Sequence, residues 1–175
     1  MLRLDEPSLA HRNAFIEVLP EMYEAGEWPV PPDELAQKFD DIITSIARAR
    51  DPETCPAGEL PHEDLWLMEG DTWVGLLTLR KEIDEKHMRS GGHIGYVIRP
   101  TWRGRGYGTK LLALGIERAR GYGLKRVLLT CADNNAGSRK VIEANGGTLE
   151  DIITIEGHEQ PVRRYWIELK PDKPN

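Results

Sequence analysis

The segment Arg99-Pro-Thr-Trp-Arg103-Gly104-Arg105-Gly106-Tyr107-Gly108-Thr109-Lys110 gathers the residue types that bind anions. Glycines at 104, 106 and 108 let main-chain N–H groups approach a ligand without Cβ obstruction. Arg103 and Arg105 add charge-assisted donors suited to a doubly charged pyrophosphate. An apolar run precedes the segment and an amphipathic run follows it, so its amides are expected to converge at a helix N-terminus, where the helix dipole favours negative charge. Two commoner phosphate motifs fail on spacing. Begun at Gly104, both GxGxxG and GxxxxGK[ST] require glycine at 109, which is Thr109. The bland reading, a flexible connection, explains the glycines but not the flanking arginines.

Upstream, His93 and Tyr96 are candidate proton acceptors on a strand, His93 for its ordinary titration near neutrality. A lone histidine beside two glycines is also a common structural hydrogen-bonder. Residues 93, 95 and 97 face opposite to 94, 96 and 98 by strand alternation. Downstream, Asp133-Asn134-Asn135-Ala136-Gly137-Ser138 follows a second apolar strand that ends at Cys131. Cys131 invites a nucleophile reading, but it has no adjacent histidine and ends a buried run, so a small core thiol is expected. His62, His87 and His158 fit no metal-ligand spacing, and no metal is expected. Glu82, Asp84 and Glu85 read as solvated loop charge.

The elements that must position these residues follow from periodicity. Apolar residues recur at helical spacing from Ser8, a candidate N-cap, to about Gly26, with Pro20 expected to kink or break the helix. A second amphipathic helix is expected from Asp33 to Arg50, then an exposed loop from Asp51 to Pro61. Asp64–Glu69 and Thr72–Arg80 read as a hairpin turning at Gly70-Asp71. Lys81–Ser90 reads as loop, Gly92–Arg99 as a strand, Tyr107–Tyr122 as a helix, and Arg126–Cys131 as a buried strand. A helix from about Ala136 to Asn145 and strands at Leu149–Ile155 and Val162–Leu169 complete the pattern. With a first strand at Leu2–Leu4, the order predicts α/β architecture, a mixed sheet with helices on its faces.

The chain has 175 residues, 39% apolar and 30% charged, which fits one domain with a hydrophobic core that needs neither disulfide nor metal. A single domain is expected over residues 1–170, with a loose tail at 171–175. Twenty-three basic against 29 acidic residues give a formal charge of −6, which argues against a general nucleic-acid partner. Cys55 and Cys131 form no CxxC pair. No stretch approaches the ~20 apolar residues of a membrane span, and acid stands where a signal peptide needs an apolar run, so the cytoplasm is expected.

Arg103-x-x-Gly106-x-Gly108 at a strand-to-helix junction resembles the pyrophosphate loop of the GCN5-related N-acetyltransferases, and Asn135 before Ser138 resembles the asparagine that this family turns toward pantetheine. The likeness covers Asp64 to Leu169 in element order and, more loosely, the N-terminal helices. It implies an acyl-CoA N-acyltransferase fold: a mixed, mostly antiparallel central sheet flanked by helices and splayed between two parallel strands, Gly92–Arg99 and Arg126–Cys131. It further implies acetyl-CoA as cosubstrate, contacted by Val97, Ile98, Arg99, Arg103, Gly104, Arg105, Gly106, Tyr107, Gly108, Thr109, Asn135 and Ser138. Val97, Ile98 and Arg99 would pair with the pantetheine arm through free backbone groups.

The expected activity is acetyl transfer to a primary amine of a small molecule or peptide by direct attack, with Tyr96 and His93 as catalytic candidates. The family's tyrosine acid, seven residues after the asparagine, is replaced here by Ile142. That departure keeps a CoA-binding module without transferase activity as the alternative. The N-terminal helices (1–60) are expected to shape the acceptor site, with Tyr165 and Trp166 as a further wall, and a homodimer is implied by the resemblance. Arg99, Arg103, Arg105 and Lys110 are expected to form a local anion trap on an otherwise acidic chain.

Overall fold

A computed structural model describes residues 1–169. The strands form two antiparallel sheets. β1 (Leu2–Asp5), β2 (His62–Glu69), β3 (Thr72–Arg80) and β4 (Ile94–Ile98) lie in the order β1-β2-β3-β4. β5 (Arg126–Ala132), β6 (Thr148–Ile153) and β7 (Val162–Glu168) lie in the order β5-β7-β6. No ladder joins β4 to β5, so the sheet is splayed where the resemblance implied, with every ladder within its two parts antiparallel. The two sheets meet at His93, just before β4. His93 N–H donates to Leu128 O at 2.8 Å, and Leu128 N–H donates back to His93 Nδ1 at 2.9 Å. Past that vertex the strands separate, and the splay is the feature that makes room for a site.

Among the described residues six helices cover these sheets: α1 (Arg12–Glu24), α2 (Pro32–Gln37), α3 (Phe39–Ala49), α4 (Glu85–Arg89), α5 (Tyr107–Gly121) and α6 (Ala136–Ala144). The main core places Leu111, Leu112 and Ile116 of α5 against Leu77, Leu79, Val127 and Leu129. A second core lies under α1 and α3 and is aromatic. Phe15 stacks on Trp66 at 5.4 Å and packs on Phe39 at 5.2 Å, and Trp28 meets Trp73 edge-on at 5.5 Å. Each such pair adds about 0.5–1.5 kcal/mol beyond its burial. Strand alternation connects the two cores. Tyr96 and Ile98 pack against the first, and Val97 packs against the second.

Several expected boundaries change for physical reasons. Pro20 does not break α1, because it and Ile16, whose carbonyl loses its partner, lie on the exposed face where water can serve it. The expected helix from Asp33 to Arg50 divides at Lys38 (φ −90°, ψ 9°), and Phe39 just beyond is fully buried against Phe15. The Lys81–Ser90 loop contains α4, capped by Asp84, which accepts His87 N–H at 2.8 Å. Among the described residues no helix is long and apolar enough to cross a membrane.

Candidate functional site

The loop between β4 and α5 owes its shape to glycine. Gly104 (φ +73°) and Gly106 (φ +83°) sit in the left-handed region, where a side chain would be strained, and Gly106 is the N-cap of α5. Gly108 has a different role: a Cβ there would stand 3.1 Å from Val141 Cγ2, so it permits the close approach of α6. The loop and the first turn of α5 line a cleft of about 490 Å³ together with Tyr96, Ile98, Asn135 and Ser138. The orphan amides that begin any helix therefore open onto this cleft.

The four expected cations divide into two kinds. Arg99 is largely covered and paired to Glu21 at 2.7 Å and Glu17 at 3.0 Å, both on α1. Glu21 also accepts Thr101 N–H at 2.6 Å, and these contacts hold its carboxyl below the usual range against the opposing pull of burial. Arg103 donates from Nε to Ile98 O at 2.9 Å and pairs its outer nitrogen with Glu27. Arg105 and Lys110 lie over the rings of Trp102 and Tyr107. The anion trap is thus half neutralised by carboxylates 76 to 82 residues away in sequence. Nothing local in the sequence announces those pairings.

The backbone groups of β4 are also redistributed. Arg80 N–H bonds to His93 O and Arg99 N–H to Val74 O, each within 2.9 Å. The antiparallel alternation through the register Gly75↔Ile98 to Leu79↔Ile94 then turns residues 95, 97 and 99 toward β3, and 94, 96 and 98 toward the open edge, while His93 divides its groups, carbonyl to β3 and N–H to β5. Of Val97, Ile98 and Arg99, only Ile98 faces that edge, and its carbonyl is already engaged by Arg103. Tyr96 is the residue whose backbone groups join it there.

Tyr96 and Ser138 bridge the splay. The tyrosine hydroxyl lies 2.9 Å from Ser138 Oγ and 3.4 Å from Ser138 O. Burial pushes the Tyr96 hydroxyl up to about 12, opposed only in part by the Ser138 hydrogen bond. Such a group stays protonated and donates rather than accepts protons. Asn135 caps α6 by accepting Ser138 N–H at 2.9 Å, so the cap itself fixes the serine.

His93 sits at the vertex, with Nδ1 used as an acceptor and its ring 6.1 Å from Trp166. Burial first, and then Arg126, lowers its pKa, consistent with a neutral ring that pins β4 to β5. Cys131 is buried, and burial raises its thiol pKa. Ile142 is fully enclosed in the main core. Tyr165 is likewise buried, its hydroxyl directed to Glu143 at 3.2 Å, and forms no wall of the cleft. Among the described residues no group of three His, Cys, Asp or Glu could hold a metal.

Two antiparallel sheets splayed beside a glycine-shaped helix N-terminus define an acyl-CoA N-acyltransferase fold. The family profile described as "Acetyltransferase (GNAT) domain" matches residues 1–148, and the chain belongs to that family. Among solved structures, RimL, a ribosomal L7/L12 alpha-N-protein acetyltransferase in complex with coenzyme A, is similar at TM-score 0.68 and 19% identity, covering 98% of this chain and 96% of that one. Mycobacterium smegmatis RimJ in complex with a CoA-disulfide gives TM-score 0.71 and 16% identity, covering 95% and 81%. The spermidine/spermine N-acetyltransferase SpeG from Vibrio cholerae gives 0.59 and 17%, covering 97% and 95%. At these identities the likeness is one of fold. No curated protein matches the sequence.

Proposed function

We propose that this protein is an acetyl-CoA-dependent N-acetyltransferase acting on a primary amine. The observation that carries the reading is the cleft of about 490 Å³ running from the Gly104–Gly108 loop to the Tyr96–Ser138 pair. It has the composition a nucleotide thioester requires. Left-handed glycines and helix amides suit the pyrophosphate, and the β4 edge at Tyr96 and Ile98 suits amides of an extended arm. When bound, acetyl-CoA supplies a thioester carbon open to attack by a neutral amine. Ser138 and Tyr96 then form the proton-donating pair that the buried Ile142 cannot provide. The Tyr96 hydroxyl, which burial raises to about 12, orients the serine and replaces the proton that Ser138 gives to the departing thiolate, regaining its own from solvent. His93 holds the vertex that sets the distance between strands. The amine's own proton passes to solvent, since neither hydroxyl is a base at neutral pH.

Gly106→Val tests the cosubstrate assignment by calorimetry with CoA. The side chain is forced into a left-handed backbone at the mouth of the cleft, so affinity should fall about 100-fold, near 3 kcal/mol. Unchanged affinity overturns the assignment. Thiol release from acetyl-CoA across a panel of amines tests transfer, and acetyl-CoA binding without release would reduce the protein to a binder.

A further inference from the structure

We infer that the acceptor amine binds in a second chamber, of about 600 Å³, on the far side of the Tyr96–Ser138 bridge, with Gly95 and Glu159 as its specificity-determining residues. This inference deepens the transferase reading and rests on it for the identity of the cleft.

The chamber shares Tyr96, Asn135 and Ser138 with the cosubstrate cleft, so the hydrogen-bonded pair is a partition with a cavity on each side. A group on one side of that partition meets a group on the other at Ser138. The chamber continues outward, through Ser90 and His158, into a hollow between α4 and the segment joining β6 to β7. No residue of 1–60 lines it, and in the cosubstrate cleft Glu27 is the sole residue from that region. The path open to an acceptor therefore runs between α4 and the 154–161 segment rather than past the N-terminal helices.

Gly95 is the second observation. It lies inside β4, where glycine weakens a strand, yet its φ is not positive and a Cβ would meet no atom within 4 Å. Neither backbone conformation nor packing in this protein requires glycine there. A strand glycine without a fold-level cause marks a place where something else comes close, and Gly95 lines the chamber. The space it leaves is clearance for a slender chain carrying the amine.

Charge gives the class of that chain. Among the described residues lining the chamber, Glu159 is the only carboxylate, and it stands at the outer end beside His158 and Gln160. The reacting nitrogen must be neutral to attack, so a carboxylate at the far end suits a second, cationic group on the same molecule. The favoured acceptor is a diamine or a cationic amino compound.

The test uses the full chain, with CoA bound, titrated with 1,4-diaminobutane, lysine amide and 1-aminobutane. Wild type should bind the two dications more tightly than the monoamine. Gly95→Val and Glu159→Gln should each weaken dication binding about tenfold while CoA affinity changes less than about twofold. Gly95→Ala should melt no lower than wild type, because alanine is the better strand residue, which separates clearance from misfolding. Dication binding that is undetectable in wild type, unchanged in Gly95→Val, or equal to that of 1-aminobutane overturns the inference. Binding that follows the variants without thiol release upholds the chamber and overturns the transferase reading.

Discussion

The phosphate end of the cleft and its vertex are built in contrasting ways. At Gly104–Gly108 the surface is main chain, Gly104 and Gly106 are exposed, and Arg103 pairs with Glu27 in a partly exposed contact. At Gly92–Tyr96 the polar side chains are half-buried, uncharged and each engaged with a specific partner: His93 with Leu128, Tyr96 with Ser138. The difference separates binding from chemistry. A polyanion is held by many small, screened contributions, whereas a proton must be handed over by groups whose environment keeps them in one protonation state.

Gly92→Ala against Gly104→Ala gives the largest expected contrast. Both glycines have positive φ, +65° and +73°. At Gly92 a methyl group would also collide with the Leu128 carbonyl, on the strand that His93 holds, whereas at Gly104 it meets nothing within 4 Å. Strain and overlap together should cost about 3 kcal/mol or more at Gly92, roughly a 10 °C fall in melting temperature, against about 1 kcal/mol at Gly104. Equal melting temperatures would mean that the vertex is not a rigid junction.

The next contrast is in rate. Tyr96→Phe and Ser138→Ala should each lower kcat about 10- to 100-fold with CoA affinity nearly unchanged, and the double variant should be little worse than either single one. Because the hydroxyl is raised to about 12, loss of the Tyr96 proton begins only near that pH, so Tyr96 should contribute no falling limb to the rate profile between about pH 6 and 10. Additive losses, or an alkaline limb near 10 that Tyr96→Phe removes, would separate the two groups.

What the sequence revealed follows the same division. The loop was legible because its chemistry is local: glycine, arginine and a helix start lie within a dozen residues. The strand and helix order was legible from periodicity, and α5 and β7 fall within a residue or two of their expected bounds. The splay of the sheet came with the family resemblance, but which backbone groups of β4 face outward was not legible, because register is a tertiary property. The partners of Arg99 and Arg103 were hidden for a related reason. Glu17 and Glu21 on α1, and Glu27 just beyond it, look like ordinary surface acids until α1 is docked, and only the burial of Phe15, Val18, Leu19 and Met22 fixes where they lie. The Tyr96–Ser138 pair joins two residues that had been singled out separately, 42 positions apart.

The smallest expected effect, at Glu27, tests how the loop end is tuned. Glu27 lines the cosubstrate cleft and holds the outer nitrogen of Arg103, while Nε of the same guanidinium stays on Ile98 O. A pyrophosphate arriving at the loop competes with this carboxylate for Arg103. The pair is partly exposed, 45% for the arginine side chain and 33% for the glutamate, so it is worth about 0.2–1 kcal/mol. Glu27→Gln should therefore tighten CoA binding about two- to fivefold by calorimetry, with the gain shrinking as salt is raised. Glu21→Gln should act in the opposite sense, because Glu21 lies outside the cleft and fixes Thr101 N–H and Arg99 at the start of the loop. If both substitutions weaken binding, Glu21 and Glu27 serve only to shape the loop; opposite signs show that Glu27 also occupies the place of the ligand's charge.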